Sequence, residues 1–255
     1  MRRLAIIGVG LVSIVAFAGA ASAADLPAKV YTKAPPIAPI YNWTGFYVGI
    51  NAGGALSHNC WNVTGGLSGG CHDATGGLGG GQIGYRYETA NWVIGVEAQG
   101  DWANLKGSNT SAIGTFGGLP FSNQTTIDAI GLFTGQVGYA WNNILWYGKG
   151  GAAVTHDKYN GVTQFAVGPF GPGFVFDQAS QTRWGGAVGT GLEIGLQQGW
   201  SVGVEYDHLF MGSSSVNILN TAGGFDRTDS IKQDIDMGTV RVNYTFGGPA
   251  VVAKY

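Results

Sequence analysis

Charge is scarce in this chain. Lys and Arg number 13 and Asp and Glu 15 in 255 residues, so charged side chains make up 11%, against about 25% in soluble globular domains. A water-facing globule built this way would be sparsely solvated, whereas a surface turned to lipid needs no charge. Long apolar runs are missing too. Beyond residue 19 no segment approaches the roughly 20 apolar residues that a bilayer-crossing helix requires, so the hydrophobic 45% must be dispersed over short elements. Basic excess is also absent. The net charge is −2, and it falls to −4 without residues 1–23, which hold Arg2 and Arg3 and no acid. That excludes nucleic acid as a natural partner. No H-E-x-x-H is present, and His208 near the serines at 213–215 is the one pairing that invites a hydrolytic reading. The chain is expected not to be an enzyme.

The N-terminus sets the compartment. Arg2 and Arg3 precede an uncharged apolar stretch over residues 4–19, and Ala21-Ser22-Ala23 supplies the small-residue cleavage pattern. Residues 1–23 therefore read as a secretory signal peptide of the Sec pathway, cut after Ala23. Residues 24–40 hold Pro27, Pro35, Pro36 and Pro39. They read as a periplasmic tether of polyproline type, with Lys29 and Lys33 available for cell-wall or lipid contact.

Only two cysteines occur, Cys60 and Cys71, within the Gly/Ser/Asn-rich stretch 59–77. That stretch reads as a loop, and an exported chain meets disulfide-forming conditions, so a disulfide clipping the loop is expected. His58 and His72 flank the pair, but the spacing has no paired close ligands of zinc type. No metal is expected.

What is abundant is alternation. In residues 239–246, Val240, Val242, Tyr244 and Phe246 share one face, and Thr239, Arg241, Asn243 and Thr245 the other. This is a strand with one apolar and one polar side. The same parity runs from Phe46, Ile83, Trp92 and Trp200, and in glycine-richer form through 127–140, 144–156 and 182–196. Eight strands result. Their connections alternate between tight turns, at 88–91, 141–143 and 197–199, and long stretches at about 54–78, 105–124, 157–181 and 209–234. Short turns on one side and long loops on the other are the pattern of an outer-membrane barrel. The expected fold is all-β, an eight-stranded antiparallel up-and-down transmembrane barrel over 41–246, with a periplasmic tail at 247–255. Trp43, Trp92, Trp141, Trp146 and Trp200 lie beside short turns or the first strand's start and read as the periplasmic aromatic girdle. Trp102, Trp184, Tyr206 and Phe210 read as the outer one.

The polar face carries the charge. Glu97, Lys149 and Glu205 stand five residues past Trp92, Ile144 and Trp200, and Arg241 stands five before Phe246. Barrels of about eight strands are just wide enough for side chains to fill them, and isolated buried charges are costly. Glu97, Glu193 and Glu205 should therefore pair with Lys149 and Arg241, with Arg86 below. Two roles stay open for this plug: structural filling, or a gate on a narrow ion path. Gly79-Gly80-Gly81-Gln82-Ile83-Gly84 satisfies G-x-G-x-x-G but leads into a strand, where no dinucleotide site forms.

Taken together, ASAADLPAK, NWTGFYVGINAGG, GGQIGY, NWVIGVEAQGDW, WSVGVEYDHLF and VRVNYTFGGPAVVAKY resemble the small alphaproteobacterial outer-membrane β-barrel proteins, porin-like surface antigens with haemin-binding members. The resemblance spans the whole chain. It implies an outer-membrane location, lipid and lipopolysaccharide around the barrel, delivery by the barrel-assembly machinery, and an envelope or surface role. In some members it implies haem capture, for which His58, His72 or loop aromatics would serve. Phe246 and Tyr255 both stand as candidate assembly signals. The leading expectation is a structural barrel with a narrow porin-like path; a surface ligand-binding protein is the alternative.

Overall fold

The computed structural model describes residues 41–63, 67–111, 119–166, 168–220 and 222–246. The expected signal peptide, tether and tail lie outside the described residues. Among those described, eight strands follow one another: β1 (Gly45–Val63), β2 (Leu67–Thr89), β3 (Trp92–Thr110), β4 (Phe121–Trp141), β5 (Ile144–Thr163), β6 (Val175–Gly195), β7 (Trp200–Asn220) and β8 (Phe225–Phe246). Each pairs antiparallel with its neighbours in chain order, and β1 closes on β8 from Phe46↔Phe246 to Val63↔Asp229. No described helix is long and apolar enough to cross a membrane.

The tight turns form where they were expected, and backbone chemistry explains them. Ala90 and Asn91 both take positive φ, 46° and 73°, the twist that a two-residue hairpin needs. Asn142 (φ 57°) does the same between β4 and β5, and Gln198 (61°) with Gly199 (82°) between β6 and β7. The opposite connections differ from expectation. Most of 54–78, 105–124, 157–181 and 209–234 is strand, leaving 64–66, 111–120, 164–174 and 221–224 as connections. Strands of 19 to 23 residues are about twice what a tilted membrane strand requires. The ladders therefore continue well beyond a bilayer.

The outer surface shows why composition hid this. Outward positions are apolar up to Trp102 on β3, Trp184 on β6 and Phe210 on β7, all exposed. Beyond them the outward residues turn polar: Asn104, Lys106 and Ser108 on β3, and Lys232, Asp234 and Asp236 on β8. The inward positions stay apolar there, with Trp61, Tyr159, Val216, Ile218 and Ile231 buried together. A ladder with one wet face reads locally like a loop. The β6–β7 ladder is interrupted between Gln178 and Gly186. Arg183 spans the gap, its guanidinium donating to the carbonyls of Gly212 (2.8 Å) and Ile231 (3.0 Å).

At the turn end, Trp92, Trp141, Trp146 and Trp200 face outward and are exposed. Their rings join neighbours in edge and tilted contacts, Trp92–Tyr139–Trp141 and Trp200–Tyr244–Phe246, with centroids 4.9–5.5 Å apart. Trp43 is the exception. It is fully buried (0%) inside the mouth of the barrel. The reason is parity: Trp43 lies four residues before Tyr47, which faces inward, and the segment 41–44 turns under the barrel instead of lining its outside. Glu88 fastens it, accepting from the Trp43 backbone N–H at 3.0 Å.

A band bounded by Trp92 and Trp102 places Val96, 62% exposed, at its middle. Val96→Arg should cost about 2–4 kcal/mol in a lipid-bilayer folding equilibrium, while Asn104→Arg, on the same face above the band, should cost little. Equal costs would mean that the band does not face hydrocarbon.

Candidate functional site

The barrel interior is built in storeys. The lowest is aromatic and apolar: Tyr41, Trp43, Val93, Ala140, Leu145 and Tyr147 fill the turn-end mouth. Tyr41 closes it further by donating its hydroxyl to the Gly199 carbonyl at 2.9 Å.

Above lies the charge storey, and it collects all six residues singled out from the sequence. Arg86 pairs with Glu193 at 2.9 Å, both essentially without solvent exposure. The other Glu193 oxygen accepts from Ser201 at 2.5 Å and Asn243 at 2.8 Å. Arg241 bridges Glu97 and Glu205, one guanidinium nitrogen to each. Lys149 lies 2.7 Å from Glu205, 3.2 Å from Asp207 and 3.6 Å from Glu97. Asp207, Tyr47, Tyr147, Ser201 and Asn243 join the network and had not been singled out. Asp207 carried a signal, since it stands two residues after Glu205 with the same parity. The tyrosines carried none, because an inward Tyr on a strand cannot be told from any buried aromatic.

The register exposes an internal symmetry. Tyr47 pairs with Gly84 on β2, and Gly84 with Glu97 on β3. Tyr147 pairs with Gly191 on β6, and Gly191 with Glu205 on β7. Two Tyr–Gly–Glu rows thus face each other, four strands apart in an eight-stranded ring. In each, the ring lies across the glycine and its hydroxyl donates to the glutamate, at 2.6 Å from Tyr47 and 2.5 Å from Tyr147. The glycines are required by close approach. A Cβ on Gly84 would sit 2.5 Å from Tyr47 Cζ, and one on Gly191 2.4 Å from Tyr147 Cζ. Arg86 lies over both rings, 4.4 Å and 5.3 Å from their centroids, in cation–π geometry. Arg241 joins the two glutamates.

The third storey is apolar. Ala55, Ala74, Leu78, Leu105, Ile127, Ile130, Leu132, Ala153, Ala187, Leu209, Met211, Ile235 and Met237 form one cluster with 0–8% exposure. They come from all eight strands. A purely polar lumen was expected; part of the apolar storey, Ala55, Ala74, Leu78, Leu105, Leu209 and Met211, lies on stretches read as loops, and the rest, apart from Ile127, shares the inward parity that was assigned to polar residues. Ile127 stands at a shift, Ile127/Ala129, where the β4–β5 register jumps. Above it Asp157 accepts from Thr155 (3.1 Å) and Tyr159 (3.2 Å).

The histidines do not converge. His72 faces the interior and meets Thr125 Oγ1 at 3.0 Å, while His58 faces out and meets Asp73 at 2.6 Å. His208 is engaged by Asp236 at 2.7 Å on the outer face, not by the serines at 213–215. Gly66-Leu67-Ser68-Gly69-Gly70 spells G-x-S-x-G, but it enters β2, whereas a nucleophile elbow joins strand to helix.

Removing Arg241 would leave Glu97 and Glu205 short of their shared partner. Arg241→Ala should therefore lower folding stability by about 3–5 kcal/mol, measured by denaturant titration in detergent or bilayers. Arg241→Lys should recover only part, because one ammonium cannot present a fork to two carboxylates. Gly84→Val should cost about 1–3 kcal/mol by driving Tyr47 off its seat. A neutral Arg241→Ala would remove the bridge from any structural role.

Comparison with known proteins agrees with this architecture. A profile described as outer membrane protein beta-barrel domain matches residues 9–246. The 31 kDa outer-membrane immunogenic proteins of Brucella melitensis biotype 1 and Brucella suis biovar 1 are each 29% identical over 251 residues, covering 92% of this chain and 98% of theirs. Among solved structures, the outer membrane protein OprG from Pseudomonas aeruginosa superposes with a TM-score of 0.50 at 14% identity, over 83% of this chain and 100% of that one. The outer membrane protease OmpT from Escherichia coli gives 0.51 at 9% identity, over 79% and 97%. These two likenesses bear on the fold alone. The apolar outer band, the closed ring and the match over 9–246 place the chain in the outer membrane as a member of the outer membrane protein β-barrel domain family.

Proposed function

We propose that this protein is a plugged outer-membrane scaffold, whose barrel anchors it in the envelope and whose long extracellular hairpins are its working surface. The observation that carries this reading is the apolar storey, contributed by every strand and buried to within 8%. A hydrated ion crossing it would shed water among mainly apolar side chains, where Gln99 and Asp101, in register with Leu132 and Ile130, offer only scattered polar contacts, and hydrophobic constrictions close pores by dewetting. The charge storey below then fastens the two halves of the barrel and does not act as a selectivity ring. The porin-like path suggested by lumen charge alone would need the apolar storey to part.

The hairpins support the surface role. Their tips carry exposed rings, Phe165 at 51% and Phe225 at 65%, where water contact is otherwise unfavourable. The Brucella relatives are described as immunogenic outer-membrane proteins, in keeping with hairpins that reach the outside. A haem role would have to use His58 without His72, since the wall separates them.

Planar-bilayer recording tests the reading. Wild type should be silent, and Lys149→Ala and Arg241→Ala should stay silent. Leu132→Ser combined with Leu209→Ser and Ile235→Ser should open a measurable current. Steady conductance by wild type, or opening by either charge variant alone, would replace the plugged scaffold with an ion-pair gate.

A further inference from the structure

The β1–β2 hairpin brings four chemistry-bearing residues onto one outward face. Cys60 pairs directly with Cys71, and two residues back His58 pairs directly with Asp73. Alternation turns all four the same way, above the outward apolar positions Val48, Ile50 and Leu56. In the structure the two cysteines form a disulfide. Beside it, His58 is held by both ring nitrogens: Nδ1 meets Asp73 Oδ1 at 2.6 Å, and Nε2 lies 3.5 Å from Cys60 Sγ. The candidate ligand atoms of His58, Cys60 and Cys71 all lie within 4.8 Å of one another. His58 and Asp73 are each 55% exposed, so reagents can reach them.

We propose that this face is a redox-gated site for a zinc-like divalent cation, closed while the disulfide stands and opened by its reduction. Two equivalents of a thiol reductant, or one of a dithiol, convert the Cys60–Cys71 bond to two thiols and are themselves oxidised to a disulfide. A divalent cation then displaces the two thiol protons and binds two thiolates and His58 Nε2, with a water in the fourth position. The geometry favours this ligand set. With zinc–nitrogen near 2.1 Å and zinc–sulfur near 2.3 Å, a tetrahedral site has a nitrogen–sulfur edge of about 3.6 Å, close to the His58–Cys60 separation of 3.5 Å. Asp73 acts as the positioning residue. It holds Nδ1, fixes the tautomer and aims Nε2 at the sulfurs, the carboxylate–histidine–metal arrangement. The ladder from Gly45 to Trp61 holds the two strands together when the sulfurs part. The linear spacing concealed the site, because Cys71 and Asp73 meet Cys60 and His58 only across the strands.

The test uses the full chain folded in detergent micelles, oxidised or reduced with a phosphine, and titrated with Co2+. Reduced wild type should take up one equivalent with thiolate-to-cobalt charge-transfer absorption, and Zn2+ should displace it. Oxidised wild type should show no such band. His58→Ala should weaken binding at least tenfold, and Asp73→Asn about 10–100-fold. His72→Ala, which faces the lumen, should change nothing. Each variant is first verified by its β-sheet circular dichroism. No charge-transfer band in reduced wild type would overturn the site. So would an affinity unchanged in His58→Ala, or a loss in His72→Ala as large as that in His58→Ala.

Discussion

The structure depends on one bridge, the guanidinium of Arg241 between Glu97 and Glu205. Closing eight strands into a ring leaves a lumen that side chains must fill. Here the filling at mid-barrel is ionic, so every charge needs a partner or it costs several kcal/mol. Glu97 ends the first Tyr–Gly–Glu row and Glu205 the second; Arg241 hydrogen-bonds to both. Lys149 adds a second link between the same pair at longer reach. The two half-barrels are thus tied at their centre, while backbone ladders tie them at their edges. Breaking the bridge would expose a conflict already built in, since Asp207 adds a further carboxylate to the same neighbourhood.

Parity carried most of the fold, for a physical reason. Lipid outside and a filled lumen inside impose opposite demands on successive residues, so period two is written strongly wherever the strand lies in the bilayer. Above the bilayer the outer face meets water, and that contrast fades. Inward Val216, Ile218 and Ile231 then alternate with residues that any loop would use, and the extended ladders were read as loops. Trp43 failed in another way. Its level along the chain matched the other tryptophans, but its odd position shared the inward parity of Tyr47, and parity outranked level.

The charged residues of the site were legible because burial makes unpaired charge expensive, which limits where Arg and Glu can stand. Their partners were less so. Which glutamate meets which arginine depends on strand stagger, and the seating of Tyr47 on Gly84 and Tyr147 on Gly191 depends on register across two strands. The His58–Asp73 pair belongs to the same class of information, whereas the Cys60–Cys71 disulfide was expected from the sequence and is present. Residues far apart in the chain become neighbours only when the register is known.

Function follows from how the storeys stack. A lumen lined by charge from end to end would hold water in file and pass ions, and charge pairs could gate it. In this barrel an aromatic floor lies under the charge storey and a cluster of thirteen apolar residues lies over it. On the proposed reading, ion pairs enclosed between two mainly apolar layers gain strength from the low dielectric and are kept from mobile ions. The same enclosure that makes the charge cluster a strong fastener would then make it a poor gate. What remains exposed to the outside is the set of hairpins, whose length exceeds anything a bilayer requires.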